Sequence, residues 1–70
     1  MPLTNRVRYF RFLRSEISQA ELAEKVDVSR QTIVAVEKGN YNPSVELALR
    51  LAHALGTTVE ELFALEGGSR

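Results

Sequence analysis

The segment Lys25-Val26-Asp27-Val28-Ser29 restricts the fold of this chain more than any other. It has to end one helix, turn sharply and cap the next with almost no intervening residues. Upstream, Ser18-Gln19-Ala20-Glu21 has the form of a capping box, in which the serine hydroxyl accepts from the amide three residues on and the glutamate reaches back. It opens a helix with Ala20, Leu22, Ala23 and Val26 as apolar positions. Ser29 caps the following helix, which turns Ile33 and Val36 inward and ends at Gly39, where a positive φ costs glycine nothing. Two helices joined this tightly cross at roughly 90–120°. Ala23 falls at their closest approach, and Val28 with Ile33 fills the angle between them. The amino end of the second helix, Ser29-Arg30-Gln31-Thr32, is thereby held out as a leading edge.

The remaining punctuation is also helical. Asn42-Pro43-Ser44 is a turn running into another cap, after which Val45, Ala48, Leu51, Ala52 and Leu55 form one helical stripe that Gly56 stops. Thr58-Val59-Glu60-Glu61 reads as a second capping box, leading into Leu62, Phe63 and Leu65. At the other end Thr4 or Asn5 can cap a first helix carrying Val7, Phe10 and Leu13 or Arg14 along one side. No period-two alternation persists, so no strand is expected. The expected fold is all-α, with five short helices at about 5–14, 19–25, 30–37, 45–55 and 59–65. Short connections between them suit a compact helical domain. Residues 1–70 read as a single domain with its core over 5–65 and a frayed tail over 66–70.

Size then matters. A chain of 70 residues buries only about 60% of the surface its unfolded form exposes. Having no cysteine, it must rely on an apolar core, which excludes a disulfide scaffold and a cysteine-based zinc site. No apolar run approaches the ~20 residues of a membrane span, and the arginine-bearing start lacks the pattern of a secretory signal. The expectation is a cytoplasmic protein without a membrane partner.

A formal net charge of zero conceals a gradient. Residues 1–14 hold Arg6, Arg8, Arg11 and Arg14 and no acid, whereas residues 15–28 hold Glu16, Glu21, Glu24 and Asp27 against Lys25 alone. A polyanion responds to a local face rather than to the total. The leading edge itself carries an arginine, a glutamine and two hydroxyls. A helix fits the major groove, where Arg pairs bidentately with guanine and Gln with adenine. Gln19 stands at a helix start, where free amides and the dipole favour a phosphate. Lys38, Asn40, Tyr41 and Asn42 make a polar loop suited to the sugar-phosphate backbone, so phosphate contacts would set position while Arg30 and Gln31 read sequence.

Taken in order, Ser18-Gln19-Ala20-Glu21-Leu22-Ala23-Glu24-Lys25-Val26, Val28-Ser29-Arg30-Gln31-Thr32-Ile33 and Glu37-Lys38-Gly39-Asn40-Tyr41-Asn42-Pro43-Ser44 resemble the lambda-repressor-like, Cro/XRE-type helix-turn-helix family. Leu47 to Gly56 and Glu60-Glu61-Leu62-Phe63 match its fourth and fifth helices, so the resemblance spans about residues 5–65. It implies a five-helix DNA-binding domain with the helix-turn-helix in helices two and three, a dimer, and a transcriptional repressor. By position it makes Gln19 a phosphate contact, and Ser29, Arg30, Gln31 and Thr32 the start of the recognition helix. Ala35 then lies one turn further along the groove-facing side. It also implies that Arg11 pairs with Glu37. Two departures stand out: Asp27 occupies a turn position usually filled by glycine, and the stretch from Phe10 to Gln19 is one residue longer than usual.

Other features have plainer readings. His53 has neither a cysteine nor a second histidine for company, so no metal or other cofactor is expected. Capping and the helix dipole account for Glu61 and Glu60, and no catalytic motif is visible, so the chain is not read as an enzyme. Leu62 is expected to face inward, and Phe63 and Leu65 to meet a second copy across a twofold axis. The function expected is that of a homodimeric repressor reading operator half-sites in double-stranded DNA. The alternatives are an antitoxin whose toxin partner binds Tyr9 and Phe12 or the C-terminus, and a protein-interaction module of the same fold.

Overall fold

The computed structural model describes residues 3–14 and 16–65. Five helices appear in the expected order: α1 (Val7–Arg14), α2 (Gln19–Val26), α3 (Arg30–Lys38), α4 (Val45–Ala54) and α5 (Val59–Leu62). Each of the last four starts where a hydroxyl caps it. Ser18, Ser29, Ser44 and Thr58 accept from the amides of Glu21, Thr32, Leu47 and Glu61 at 3.0, 3.2, 3.1 and 3.1 Å. At Ser18 the box is complete, because the Glu21 carboxylate accepts from the Ser18 amide at 2.9 Å.

The ends of α2, α3 and α4 share one device. After α2, the amides of Asp27 and Val28 donate back to the carbonyls of Glu24 and Ala23; after α3, those of Gly39 and Asn40 donate to Val36 and Ala35. Gly56 and Thr57 repeat the pattern on His53 and Ala52. All three are Schellman closures, which require a left-handed residue just past the helix. Glycine takes that place at Gly39 (φ 82°) and Gly56 (φ 68°), but at α2 the residue is Asp27, at φ 62°. Space is not the constraint at Gly39, since a Cβ there would meet nothing within 4 Å; the backbone angle alone selects glycine.

The all-α expectation needs correction. Residues Leu3–Asn5 and Phe63–Leu65 form strands β1 and β2, paired antiparallel with Leu3 opposite Leu65, Thr4 opposite Ala64 and Asn5 opposite Phe63. The amide of Arg6 extends the ladder to the Leu62 carbonyl at 2.8 Å, and the Thr4 hydroxyl donates to the Ala64 carbonyl at 3.1 Å. Consequently α5 ends at Leu62 and α1 begins at Val7, so Phe63 and Leu65 lie on a strand rather than a helix. The physical reason is distance along the chain: each strand is too short to show alternation, and its partner lies some sixty residues away. Asn5 still caps α1, its Oδ1 accepting from the Val7 amide at 3.1 Å. The tail over 66–70 lies outside the described residues.

The core forms between the helices from Val7, Phe10, Ile17, Leu22, Val26, Ile33, Val36, Leu51, Leu55 and Leu62, all buried. Leu13 is not part of it. This side chain is 57% exposed and lies with Tyr9 and Phe12 on the outer face of α1. Among the described residues no helix is long and apolar enough to cross a membrane.

Candidate nucleic-acid interface

The helix-turn-helix is built as the junction requires. Ala23 is buried, Val28 is half-buried against the core, and Ile33 is fully buried beneath them. This seats α3 with its inner face pinned and its amino end outward. Ser29, Arg30 and Gln31 are exposed, while Thr32 and Ala35 are half-exposed on the same helix. Ser29 is committed to capping, and its hydroxyl also meets that of Thr32 at 3.1 Å. Arg30 and Gln31 therefore carry the free hydrogen-bonding capacity of the edge. Lys38 at the end of α3 and Asn40, Tyr41 and Asn42 in the loop beyond it are all exposed.

Behind this edge lies a polar network that locks α1, α2 and α3 together. Arg11 is buried, with its Nε donating to Glu37 Oε2 at 2.9 Å and its Nη2 to Glu37 Oε1 at 3.2 Å. The side chains of this ion pair are 9% and 7% exposed. Arg11 Nη1 also donates to the Ile17 carbonyl at 2.9 Å, which ties down the connection between α1 and α2. The extra length of that connection is taken up without loss of the pair. Glu16 adopts a left-handed conformation, φ 52°, and Ile17 turns into the core. Replacing one member of such a buried pair leaves the other charged and unpaired, at a cost of about 3–5 kcal/mol.

Gln19 joins this network to the edge. Its amide donates to Glu37 Oε1 at 3.0 Å, and its carbonyl oxygen lies 3.4 Å from Arg30 Nη2. The first link is a sound hydrogen bond; the second is long, so Arg30 is guided rather than held. A chain of contacts thus runs from buried Arg11 through Glu37 and Gln19 to exposed Arg30.

Two contributions were not apparent from sequence. The side-chain amide of Asn5 donates to the Val36 carbonyl at 2.7 Å, linking the sheet to the last turn of α3. Arg8 lines one groove with Gln19 and Lys38. The run of arginines in α1 was the only signal for the latter. For Asn5 there was none beyond its capping role.

Comparison with known proteins agrees with this architecture. The helix-turn-helix family profile matches residues 11–62. An uncharacterised HTH-type transcriptional regulator of Methanocaldococcus jannaschii is 44% identical over 91% of this chain and 96% of its own length. The immunity repressor of Bacillus phage phi105 is 33% identical over 94% of the chain, which spans only 45% of that protein. Among solved structures, the clp gene regulator ClgR of Corynebacterium glutamicum superposes with a TM-score of 0.71 at 36% identity, over 76% of this chain and 55% of the other. With its leading edge, its supporting network and these likenesses, the chain belongs to the Cro/C1-type helix-turn-helix family.

Proposed function

We propose that this protein is a transcriptional regulator that binds double-stranded DNA sequence-specifically, acting as a homodimeric repressor. The observation that carries the proposal is the exposed Arg30–Gln31 pair at the amino end of α3, backed by the Arg11–Glu37–Gln19 network. With α3 in the major groove, Arg30 and Gln31 meet base edges, and Thr32 and Ala35 pack along the groove wall. Gln19, Lys38, Asn40, Tyr41 and Asn42 contact the flanking backbone and set the register. The likeness to a phage immunity repressor supports repression by operator occupancy.

One such module makes few base and phosphate contacts, so a twofold pairing that doubles them is the physical motive for a dimer. Leu65 is 54% exposed, and Phe63 is only half-buried on the same face of the sheet. A dimer paired through these residues and reading two successive major grooves demands half-sites about one helical turn, ~34 Å, apart.

Selection of bound duplexes from a random pool, followed by titration, tests the proposal. The expected site is an inverted repeat with that spacing. Arg30→Ala should weaken binding to it by about 1–3 kcal/mol and relax preference at one base position. Full selectivity in the Arg30 variant would remove its assigned role. Absence of any salt-dependent DNA affinity would instead favour a protein-interaction module.

A further inference from the structure

Between α1 and the outer side of α3 runs a groove of about 340 Å³, edged by Arg8, Phe12, Gln19 and Lys38 with the Arg11–Glu37 pair beneath. Its charge is set by what that pair leaves over. Glu37 uses Oε2 on Arg11, and Oε1 on both Arg11 and Gln19, so its negative charge is matched within the protein. Arg8 and Lys38 are exposed, and among the described residues neither belongs to an ion pair. No residue of α1 is acidic. The groove therefore presents two unmatched cations over a neutral floor.

Two further details suit it to an anion. The guanidinium of Arg8 lies 5.6 Å from the centre of the Phe12 ring, which holds a long side chain at the groove edge. At the carboxyl end of α3, exposed carbonyls would repel an anion beside Lys38. Here those of Ala35 and Val36 are occupied by the amides of Asn40 and Gly39, and Val36 also by the Asn5 side chain. The groove is continuous with Gln19, already a candidate phosphate contact at the start of α2.

We propose that Arg8 and Lys38 bracket a backbone phosphate of duplex DNA, extending the interface from the helix-turn-helix onto α1. This rests on the DNA-binding function proposed above. It assigns Arg8, which lies outside the helix-turn-helix, to positioning the duplex and gives it no part in base selection.

Anisotropy titrations of the full chain across a salt series test it, using the selected duplex and a scrambled one. One phosphate contact contributes about 0.9 to the slope of log K against log salt. Arg8→Gln should lower the slope by that amount and weaken both duplexes about fivefold at 0.15 M salt, with the loss vanishing on extrapolation to 1 M. The ratio between the two duplexes should not change. Arg8→Lys should keep the slope, and Lys38→Gln should reproduce the Arg8→Gln loss; these two carry the test should Arg8→Gln melt early by circular dichroism. An unchanged slope in Arg8→Gln, with Arg30-dependent selectivity intact, would overturn the α1 contact alone and leave this face to an acidic protein partner. Weakened binding at a constant slope would overturn it too, because Arg8 would then act only through Phe12. Wild-type protein without salt-dependent DNA affinity would overturn the DNA-binding function itself.

Discussion

The α2–α3 junction and the β1–β2 ribbon lie in one small domain but are held by opposite means. The junction is assembled from neighbours: caps at Ser18 and Ser29, a Schellman closure through Asp27, and Ala23 where the helices meet. The ribbon joins residues as far apart as Leu3 and Leu65, and its hydrogen bonds exist only once the helices have brought β1 and β2 together. Two side chains cross between these regimes. Arg11 reaches from α1 to the end of α3, and Asn5 reaches from β1 to the same last turn. Local signals therefore shape the exposed edge, while long-range polar contacts decide how rigidly it is mounted.

Breaking the mount should have the largest effect. Glu37→Ala strands the buried Arg11 guanidinium and frees Gln19, so stability should fall by about 3–5 kcal/mol in urea unfolding. For a domain this small, that is a large part of the total. A loss below ~1 kcal/mol would mean that the capped junction stands without the network. Asn5→Ala acts at the crossing between ribbon and helix. It removes the cap on Val7 and leaves the part-buried Val36 carbonyl with only the Gly39 amide, which should cost about 1–3 kcal/mol. Amide hydrogen exchange should report faster opening of β1 than of α2; equal acceleration throughout would deny the separation of the two regions.

The smallest effect sharpens the comparison within the junction itself. Asp27 holds a left-handed conformation that glycine supplies at the equivalent places after α3 and α4. Asp27→Gly should therefore raise stability by about 0.5 kcal/mol in thermal or urea unfolding, the relief of the left-handed penalty exceeding glycine's greater unfolded-state entropy. A decrease would show that the aspartate side chain stabilises the turn by more than its backbone strain.

Much of this was open to reading from the residues. Helix starts followed from Ser18, Ser29, Ser44 and Thr58, because a cap acts over three residues and needs no tertiary partner. The outward position of Arg30 and Gln31 followed from the buried stripe on the opposite side of α3. Less could be seen wherever the outcome depended on a distant partner. Spacing puts Leu13 or Arg14 beside Val7 and Phe10 on one side of α1, yet among the described side chains of that helix it is Val7, Phe10 and Arg11 that are buried, and the outer face keeps Tyr9, Phe12 and Leu13. The ribbon has no signal in the sequence pattern, which therefore runs α5 on past its end at Leu62.

By itself the sequence determined four capped helices, their sharp junction and the chemistry of the exposed edge, since capping, turn formation and amphipathic spacing act within a few residues of one another. Only the tertiary structure decided that Phe63–Leu65 pairs with Leu3–Asn5, that Asn5 closes on the end of α3, and that Arg8 shares a groove with Lys38. Such contacts join residues far apart in the chain, and their free energy is gained only after the core has closed between them.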